Sequence, residues 1–251
     1  MPKNEISKTP EQLNFELFKQ KYLEALNDND PENPDIYKVF LSQPDILLVL
    51  GKLKPATEFY MQEENIEEFK RRGYWKKDSI DDFLNLLNKK FNLQNFKKYT
   101  EGGDLSYLIY DVAQIKQQIK KFPELLPWDE NKTLPNWIDS NLDAGVHLDY
   151  INGALYGFPK SAIDFYLEKD SLMDVDFQGI GTYGEDYGVP PGELAPDVLV
   201  REQAKKKFFE KFENDQKIQT ELSKIDALKD EILQIRDEII SKKDAEDERL
   251  K

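Results

Sequence analysis

Apolar side chains recur at three- and four-residue steps along most of the chain, which is the spacing of one face of an α-helix. The clearest case is residues 145–167. Its first apolar set is Val146, Tyr150, Ile151, Ala154 and Leu155, and its second is Ala162, Ile163, Phe165, Tyr166 and Leu167. Gly157 suits the left-handed position that ends a helix, and Pro159 suits the first turn of the next. The pattern predicts two short helices hinged at residues 157–159.

The same spacing predicts further helices near residues 10–26, 35–41, 46–50, 63–72, 80–91 and 115–122. Ala56–Met61 is short, aromatic and β-branched, and is predicted to be a strand. Two more β-rich runs, 95–99 and 105–111, flank a double glycine and predict a hairpin. Residues 123–135 are predicted to be a long connection in which Trp128 plugs a local core. We therefore expect an α+β fold: a mainly helical globular body with a small mixed β-sheet.

The C-terminal part of the chain differs in composition. Residues 170–200 contain no Lys, Arg or His and are rich in Gly, Pro and acids, so they are expected to be mostly loop. From Asp197 to Lys251 there is no Gly or Pro, which favours one long helix. The expected organisation is a globular domain at 1–169, an acidic Gly/Pro-rich loop at 170–196 and a C-terminal helix at 197–251.

The predicted long helix carries an apolar stripe with heptad spacing. The stripe places Ile218, Ile225, Ile232 and Ile239 at a positions, and Leu228 and Ile235 at d positions. Ile at a with Leu at d favours a parallel two-stranded coiled coil, while Ile at d can shift this towards three strands. The flanking pairs Glu231–Arg236 and Glu238–Lys243 are of opposite sign, whereas Lys224–Lys229 is like-charged. These six stripe residues are the predicted interface of a dimer; the alternative is that the helix folds back on its own body.

Composition excludes several kinds of chemistry. The chain has no cysteine and one histidine, which rules out disulfides, thiolate zinc sites, cysteine nucleophiles and multi-histidine metal sites. A net charge of −14 disfavours nucleic acid as a partner. The longest aliphatic run, 46–50, is too short to cross a bilayer, and the first residues lack the apolar core of a secretory signal. We expect a cytoplasmic protein with no cofactor, no bound metal and no membrane partner.

Candidate chemistry centres on the hinge. His147 could serve as a general base with carboxylates from the acidic loop, which is the basis for a hydrolase or transferase; a lone histidine on an apolar helix face is more often structural. Ser161, with Lys160, lies where a helix N-terminus could contact an anion. The predicted ligand-binding patch, with Lys54 nearby, comprises His147, Tyr150, Phe158, Pro159, Lys160 and Ser161. No catalytic residue is assigned.

The acidic loop contains a partial calcium-loop pattern. Its positions 1, 3, 5, 6, 9 and 12 are Asp174, Asp176, Gln178, Gly179, Thr182 and Glu185. Gln at the fifth position, Gly181 at the eighth and the lack of an exiting helix depart from that pattern. A calcium-dependent module is therefore an alternative to a plain acidic loop.

Two segments together resemble a mostly archaeal family known only as domain of unknown function 483. Leu50-Gly51-Lys52-Leu53-Lys54-Pro55-Ala56 is similar to the family's turn that contains leucine and glycine and is followed by K-P-A. Residues 155–166 (LYGFPKSAIDFY) are similar to its L-G-Y-P-x-C-C-x-x-x-F motif, with Ser161 and Ala162 in place of the paired cysteines. The resemblance covers about residues 45–168 and implies a fold and a candidate patch, but no reaction.

These observations predict a non-enzymatic interaction or scaffold protein that self-associates through its C-terminal helix. The two alternatives are the hydrolase or transferase centred on His147 and the calcium-dependent binding module.

Overall fold

The structure is a computed structural model that describes residues 10–27, 36–76, 79–98, 104–168, 178–182, 185–189 and 194–250. Side chains are described for 14–27, 36–76, 79–98, 104–168 and 194–241. The helices are α1 (Pro10–Leu26), α2 (Ile36–Leu41), α3 (Pro44–Leu50), α4 (Glu63–Arg71), α5 (Ser79–Phe91), α6 (Val112–Ile119), α7 (Leu134–Asp143), α8 (Leu148–Leu155), α9 (Lys160–Leu167), α10 (Pro196–Asn214), α11 (Gln216–Ser223) and α12 (Asp226–Leu250). The strands are β1 (Ala56–Met61), β2 (Gln94–Lys97), β3 (Leu105–Tyr110), β4 (Gln178–Thr182) and β5 (Glu185–Val189).

The expected α+β class and mainly helical body are confirmed, but the small sheet is antiparallel rather than mixed. Its strand order is β1-β3-β2. Ala56 and Gln94 both lie opposite Tyr110, on either side of the central strand β3. The predicted hairpin accounts for β2 and β3, because two strands joined by a short connection pair antiparallel. The predicted strand at Ala56–Met61 is β1, which pairs with the other edge of β3 and is also antiparallel to it.

The sheet separates two hydrophobic cores, because successive side chains of a strand point to opposite faces. On β3, Tyr107 and Ile109 face the first core, which the helices α1–α5 and α10–α12 complete. Leu108 and Tyr110 face the second core, which belongs to α6–α9. The hinge helices α8 and α9 therefore lie on the opposite side of the sheet from α11 and α12.

One helix, α7, was not predicted. Thr133 caps it by accepting a hydrogen bond from the backbone N–H of Asn136, and Pro135 lies in its first turn. The sequence signal was present, since a Thr cap with a Pro two residues later, in the first helical turn, is typical of a helix start. Trp137 of α7 is 1% exposed and its ring centre lies 6.1 Å from that of Trp128. The prediction that Trp128 packs into a local core is confirmed.

The C-terminal region is three helices instead of one. Asp215 ends α10 and caps α11, where its carboxylate accepts hydrogen bonds from the backbone N–H groups of Lys217 and Ile218. A second break, at residues 224–225, separates α11 from α12. Phe208, Phe209 and Phe212 of α10 lie in the first core, together with residues of α11 and α12. The boundary predicted at residues 196/197 therefore does not separate the tail from the body.

The acidic loop also contains more regular structure than expected. Within its described residues, β4 and β5 form an antiparallel hairpin with Gln178 opposite Val189. Across the described ranges, no helix has both the length and the apolar content needed to cross a bilayer.

Candidate functional site

The hinge between α8 and α9 has the geometry that the sequence predicts. Gly157 has a φ of +73° and directly follows the last turn of α8. The N–H of Phe158 donates to the carbonyl of Gly153 at 2.8 Å, and the N–H of Gly157 donates to that of Ala154 at 3.0 Å. This is the Schellman pattern, which satisfies the carbonyls that a helix end leaves free. The two helices therefore meet at a turn held by backbone hydrogen bonds.

The two segments that carry the family resemblance contact each other at this hinge. A Cβ on Gly157 would lie 2.5 Å from Cδ of Pro55, so only glycine fits against the proline ring. The ammonium group of Lys54 lies 5.6 Å from the centre of the Tyr156 ring. Lys54 is buried and also binds Asp45 at 2.8 Å. Lys54 thus lies close to the hinge, as expected, and links α3 to the end of α8.

Arg201 of α10 also binds the turn between α8 and α9, and the sequence did not predict this contact. Its guanidinium donates to the carbonyl of Gly157, and its nitrogens lie 3.5 Å from the carbonyl oxygens of Leu53 and Tyr156. Nothing in the local sequence indicates this contact, because the acceptors are backbone groups more than 40 residues away. Arg201 therefore joins both resemblance segments to the C-terminal helices.

A carboxylate on β1, on the face of the sheet that bears the second core, continues this junction. Glu58 accepts hydrogen bonds from Lys98 at 2.7 Å, from Ser106 at 2.5 Å and from the Tyr156 hydroxyl at 3.3 Å. Burial opposes ionisation of Glu58, but these hydrogen bonds outweigh it and lower the pKa of the carboxyl. Burial, followed by the nearby Glu58 charge, raises the pKa of Tyr156. Glu58 is therefore an ionised carboxylate whose hydrogen-bond donors are Lys98, Ser106 and Tyr156 of the same chain.

The predicted patch residues Tyr150 and Lys160 belong to a second polar network. The Tyr150 hydroxyl donates to Glu124 at 2.5 Å, and the ammonium of Lys160 lies 3.4 Å from the same carboxylate and 2.8 Å from Asp164. Burial and the hydrogen bond to Glu124 raise the pKa of Tyr150 to about 12. The hydrogen bond with Asp164 is the main cause that raises the pKa of Lys160. Both side chains are thus engaged within the body.

Ser161 contacts the start of α10 instead of an external anion. Its N–H and its hydroxyl donate to the two oxygens of Asp197, at 3.1 and 2.7 Å. Burial disfavours the charge on Asp197, but the hydrogen bonds from Ser161 prevail and lower the pKa of the carboxyl. Asp197 thus occupies the position that the sequence suggested for an anion at the α9 N-terminus.

The remaining patch residues divide between the hinge and the far end of α8. Pro159 is buried beside Phe158, whose side chain packs against both the second core and the small contact between Ala162 and Val198. His147 caps the opposite end of α8, about 12 Å away for eight helical residues. Its ring accepts a hydrogen bond from the backbone N–H of Asp149 at 3.3 Å, and its side chain is 66% exposed. The expectation of a single patch is therefore wrong for His147, which is neither on an apolar helix face nor at the hinge.

The predicted interface stripe lies against the protein's own body, which corrects its assignment as a free surface. Ile218, Ile225 and Ile235 are buried in the first core, with exposures of 0%, 4% and 0%. The other three stripe residues, partly buried against that core, are Leu228, Ile232 and Ile239. Heptad spacing identifies the apolar side of a helix but not the surface that covers it. The alternative prediction, docking within the chain, describes this structure.

Charged residues on the edge of α12 also contact the body. Arg72, which follows α4, places its guanidinium 3.0 Å from Glu238 and 3.7 Å from Glu231. The Tyr74 hydroxyl donates to Glu231 at 2.5 Å. The hydrogen bond to Glu231 is the main cause that raises the pKa of Tyr74. Sequence reasoning assigned the two glutamates to a coiled coil and missed the arginine and tyrosine.

The calcium-loop pattern is only partly covered by described residues. Asp174 and Asp176 lie outside them, while the segment from Gln178 to Thr182 is the strand β4 and Glu185 begins β5. Calcium binding by this segment stays a prediction.

Comparison of the chain with protein-family models, with curated proteins and with solved structures finds no match. The arrangement around the hinge is a set of internally paired carboxylates, lysines and tyrosines that hold α8, α9, α10 and the sheet together. In chemical terms it is an assembly junction.

Proposed function

We propose that this chain is a non-enzymatic interaction protein that self-associates through α12, the partner being a second copy of the chain. The observation that supports the proposal is the incomplete cover of the stripe. Leu228, Ile232 and Ile239 keep part of their surface in water although they pack on the first core. An apolar stripe that its own body covers only partly can bury more of its surface by exchanging that body for a second copy.

The heptad register favours a second copy of α12 as the surface that packs against the stripe. Ile at a with Leu at d suits a parallel pair of identical helices, and α12 continues the helix to Leu250 beyond the stripe. A homodimer with two-fold symmetry needs a self-complementary surface. A heptad stripe is self-complementary, because the same a and d residues pack against each other in the two copies.

The test compares two neighbouring isoleucines in the full chain. Ile239 is part of the stripe, whereas Ile240 is 48% exposed and outside it. We expect Ile239→Asn to weaken self-association about tenfold, because a polar side chain would replace an a-position contact in both copies. Ile240→Asn makes the same chemical change one residue along and should leave the association unchanged. Sedimentation velocity over a wide concentration range measures both, and equal behaviour of the two variants would remove the stripe as the contact surface.

Substitution is preferable to truncation for this experiment. A chain ending before α10 would lose Phe208, Phe209 and Phe212 from the first core. Any change in its association would then reflect unfolding of the body.

We also infer a cytoplasmic location and a relation to the domain of unknown function 483 family. The absence of cysteine from the chain is compatible with the first, because the chain needs no oxidising compartment to form disulfides. The contact of Pro55 with Gly157 supports the second, because it joins the two motifs that carry the resemblance. A solved structure of a family member in which these two positions are not in contact would argue against the relation.

A further inference from the structure

The contact between α4 and α12 involves the two glutamates that would flank the coiled coil. Arg72 binds Glu238 at 3.0 Å and approaches Glu231 at 3.7 Å, while Tyr74 donates to Glu231 at 2.5 Å. Arg72 is 22% exposed and each glutamate 40%, so these charges are only partly screened by water. The three contacts span two turns of α12, about 10 Å along its axis.

The same glutamates have a second set of partners available in a dimer. Glu231 and Glu238 occupy g positions, and in a parallel pair they would face Arg236 and Lys243 of the other copy. In the structure, the guanidinium of Arg72 and the hydroxyl of Tyr74 supply donors to these carboxylates instead. The stripe beside them is likewise packed against the body. One α12 therefore cannot satisfy its own body and a second copy at the same time.

We propose that Arg72 and Tyr74 form an intramolecular latch with Glu231 and Glu238 that competes with a second copy of this chain for α12; this inference rests on the proposed self-association. The closed form holds α12 on the body, and the open form presents the stripe. Because both copies must open, the apparent dissociation constant of the dimer is the intrinsic one divided by the square of the fraction of open chains. Any change that weakens the latch strengthens the dimer.

The body presents its half of the latch in a fixed arrangement. Gly73, with a φ of +82°, turns the chain after α4 so that Arg72 and Tyr74 both reach α12. Glu68 accepts a hydrogen bond from Nε of Arg72 at 2.7 Å and so orients its guanidinium. The following residue, Trp75, is 6% exposed in the first core and anchors this segment.

The break between α11 and α12 provides the place where the closed form can open. Ile218 and Leu222 hold α11 in the first core, with exposures of 0% and 6%. Residues 224–225 are not helical, so the direction of α12 can change there without disturbing α11. Among the stripe residues that follow the break, only Ile235 is fully buried. Moving α12 away from the body therefore exposes a limited apolar surface.

The test uses a matched pair of arginines in the full chain. Arg72→Gln with Tyr74→Phe removes the positive charge and the hydroxyl donor of the latch. Arg71→Gln is the control, because it removes the same charge from the next position while Arg71 pairs with Glu68 inside α4, at 2.5 Å. We expect the latch variant to reach half-dimerisation at about fivefold lower concentration than the wild type, and the control to match the wild type. Sedimentation velocity gives these concentrations.

Hydrogen exchange separates the latch from the dimer. At a dilution where the chains are monomeric, the amides of residues 228–239 should exchange faster in the latch variant than in the Arg71→Gln control. Equal exchange and equal dimerisation of the two variants would overturn the latch, whatever Ile239→Asn does. Faster exchange without dimerisation at any concentration would support the opening but overturn the proposed self-association.

Discussion

The hinge at α8–α9 and the helix α12 have the same kind of sequence signal, an aliphatic stripe, but the body treats them differently. At the hinge, Ile151 is 0% exposed, and the turn after it is fixed by Pro55 and Arg201. On α12, the stripe residues Leu228, Ile232 and Ile239 are only partly covered, and Ile235 is the one that is fully buried. A stripe therefore identifies an apolar side, while the number of elements that pack against it decides whether it is fully buried or only partly covered.

The largest expected effect on stability comes from truncating a buried isoleucine. Ile151 at the hinge and Ile235 on α12 are both 0% exposed, so they allow a direct comparison of the two regions. Ile151→Ala should lower the free energy of unfolding by about 4 kcal/mol, because the surrounding second core cannot close the cavity. Ile235→Ala should cost about 2 kcal/mol, because α12 lies at the edge of the body and can shift to fill the space. Urea unfolding of both variants gives the two values. Equal losses would mean that α12 is held as firmly as the hinge, and the latch could not open easily.

Gly157→Ala is expected to have the next largest effect. The alanine would adopt an unfavourable positive φ, and its Cβ would collide with the ring of Pro55 at 2.5 Å. We expect a loss of about 3 kcal/mol, of which about 1 kcal/mol comes from the backbone and the rest from the collision. Gly145→Ala is the control, because its φ is +85° and a Cβ there meets nothing within 4 Å. If the two substitutions cost the same, the contact between the resemblance segments contributes nothing to stability.

The sequence predicts the features that depend on neighbouring residues, and it misses most of those that depend on residues far apart in the chain. The hinge was predictable because Gly157 and Pro159 act on their own turns. The three strands were predictable because β-favouring residue types are concentrated in short runs, two of them flanking a double glycine. The antiparallel order of the whole sheet and the contact of Arg201 with Gly157 depend on distant segments, which periodicity does not report. The break at Asp215 had a local signal, since Asp is a strong helix cap, but good helix formers on both sides concealed it.

A pH-dependent effect is expected where α9 meets α10. Hydrogen bonds from Ser161 lower the pKa of Asp197 in the folded chain below its unfolded value. The ionised carboxylate therefore stabilises the fold above the unfolded pKa, and this contribution disappears as the pH falls through the folded pKa. Asp197→Asn should cost up to about 1 kcal/mol at pH 7, since the side chain is partly in water, and little in strong acid. Chemical unfolding at both pH values measures the difference; a cost that does not change with pH would assign the effect to shape instead of charge.

The smallest expected effect concerns His147, the residue on which an enzymatic function would depend. In the structure its ring caps α8 through one hydrogen bond of 3.3 Å and is 66% exposed. His147→Asn keeps a capping side chain and should leave the free energy of unfolding unchanged, while His147→Ala should lower it by about 0.5 kcal/mol. Neither substitution should change self-association, because the residue lies on the other side of the sheet from α12. If His147→Asn altered dimerisation as much as Ile239→Asn does, the hinge side of the molecule would belong to the contact surface and the contrast between the two regions would be wrong.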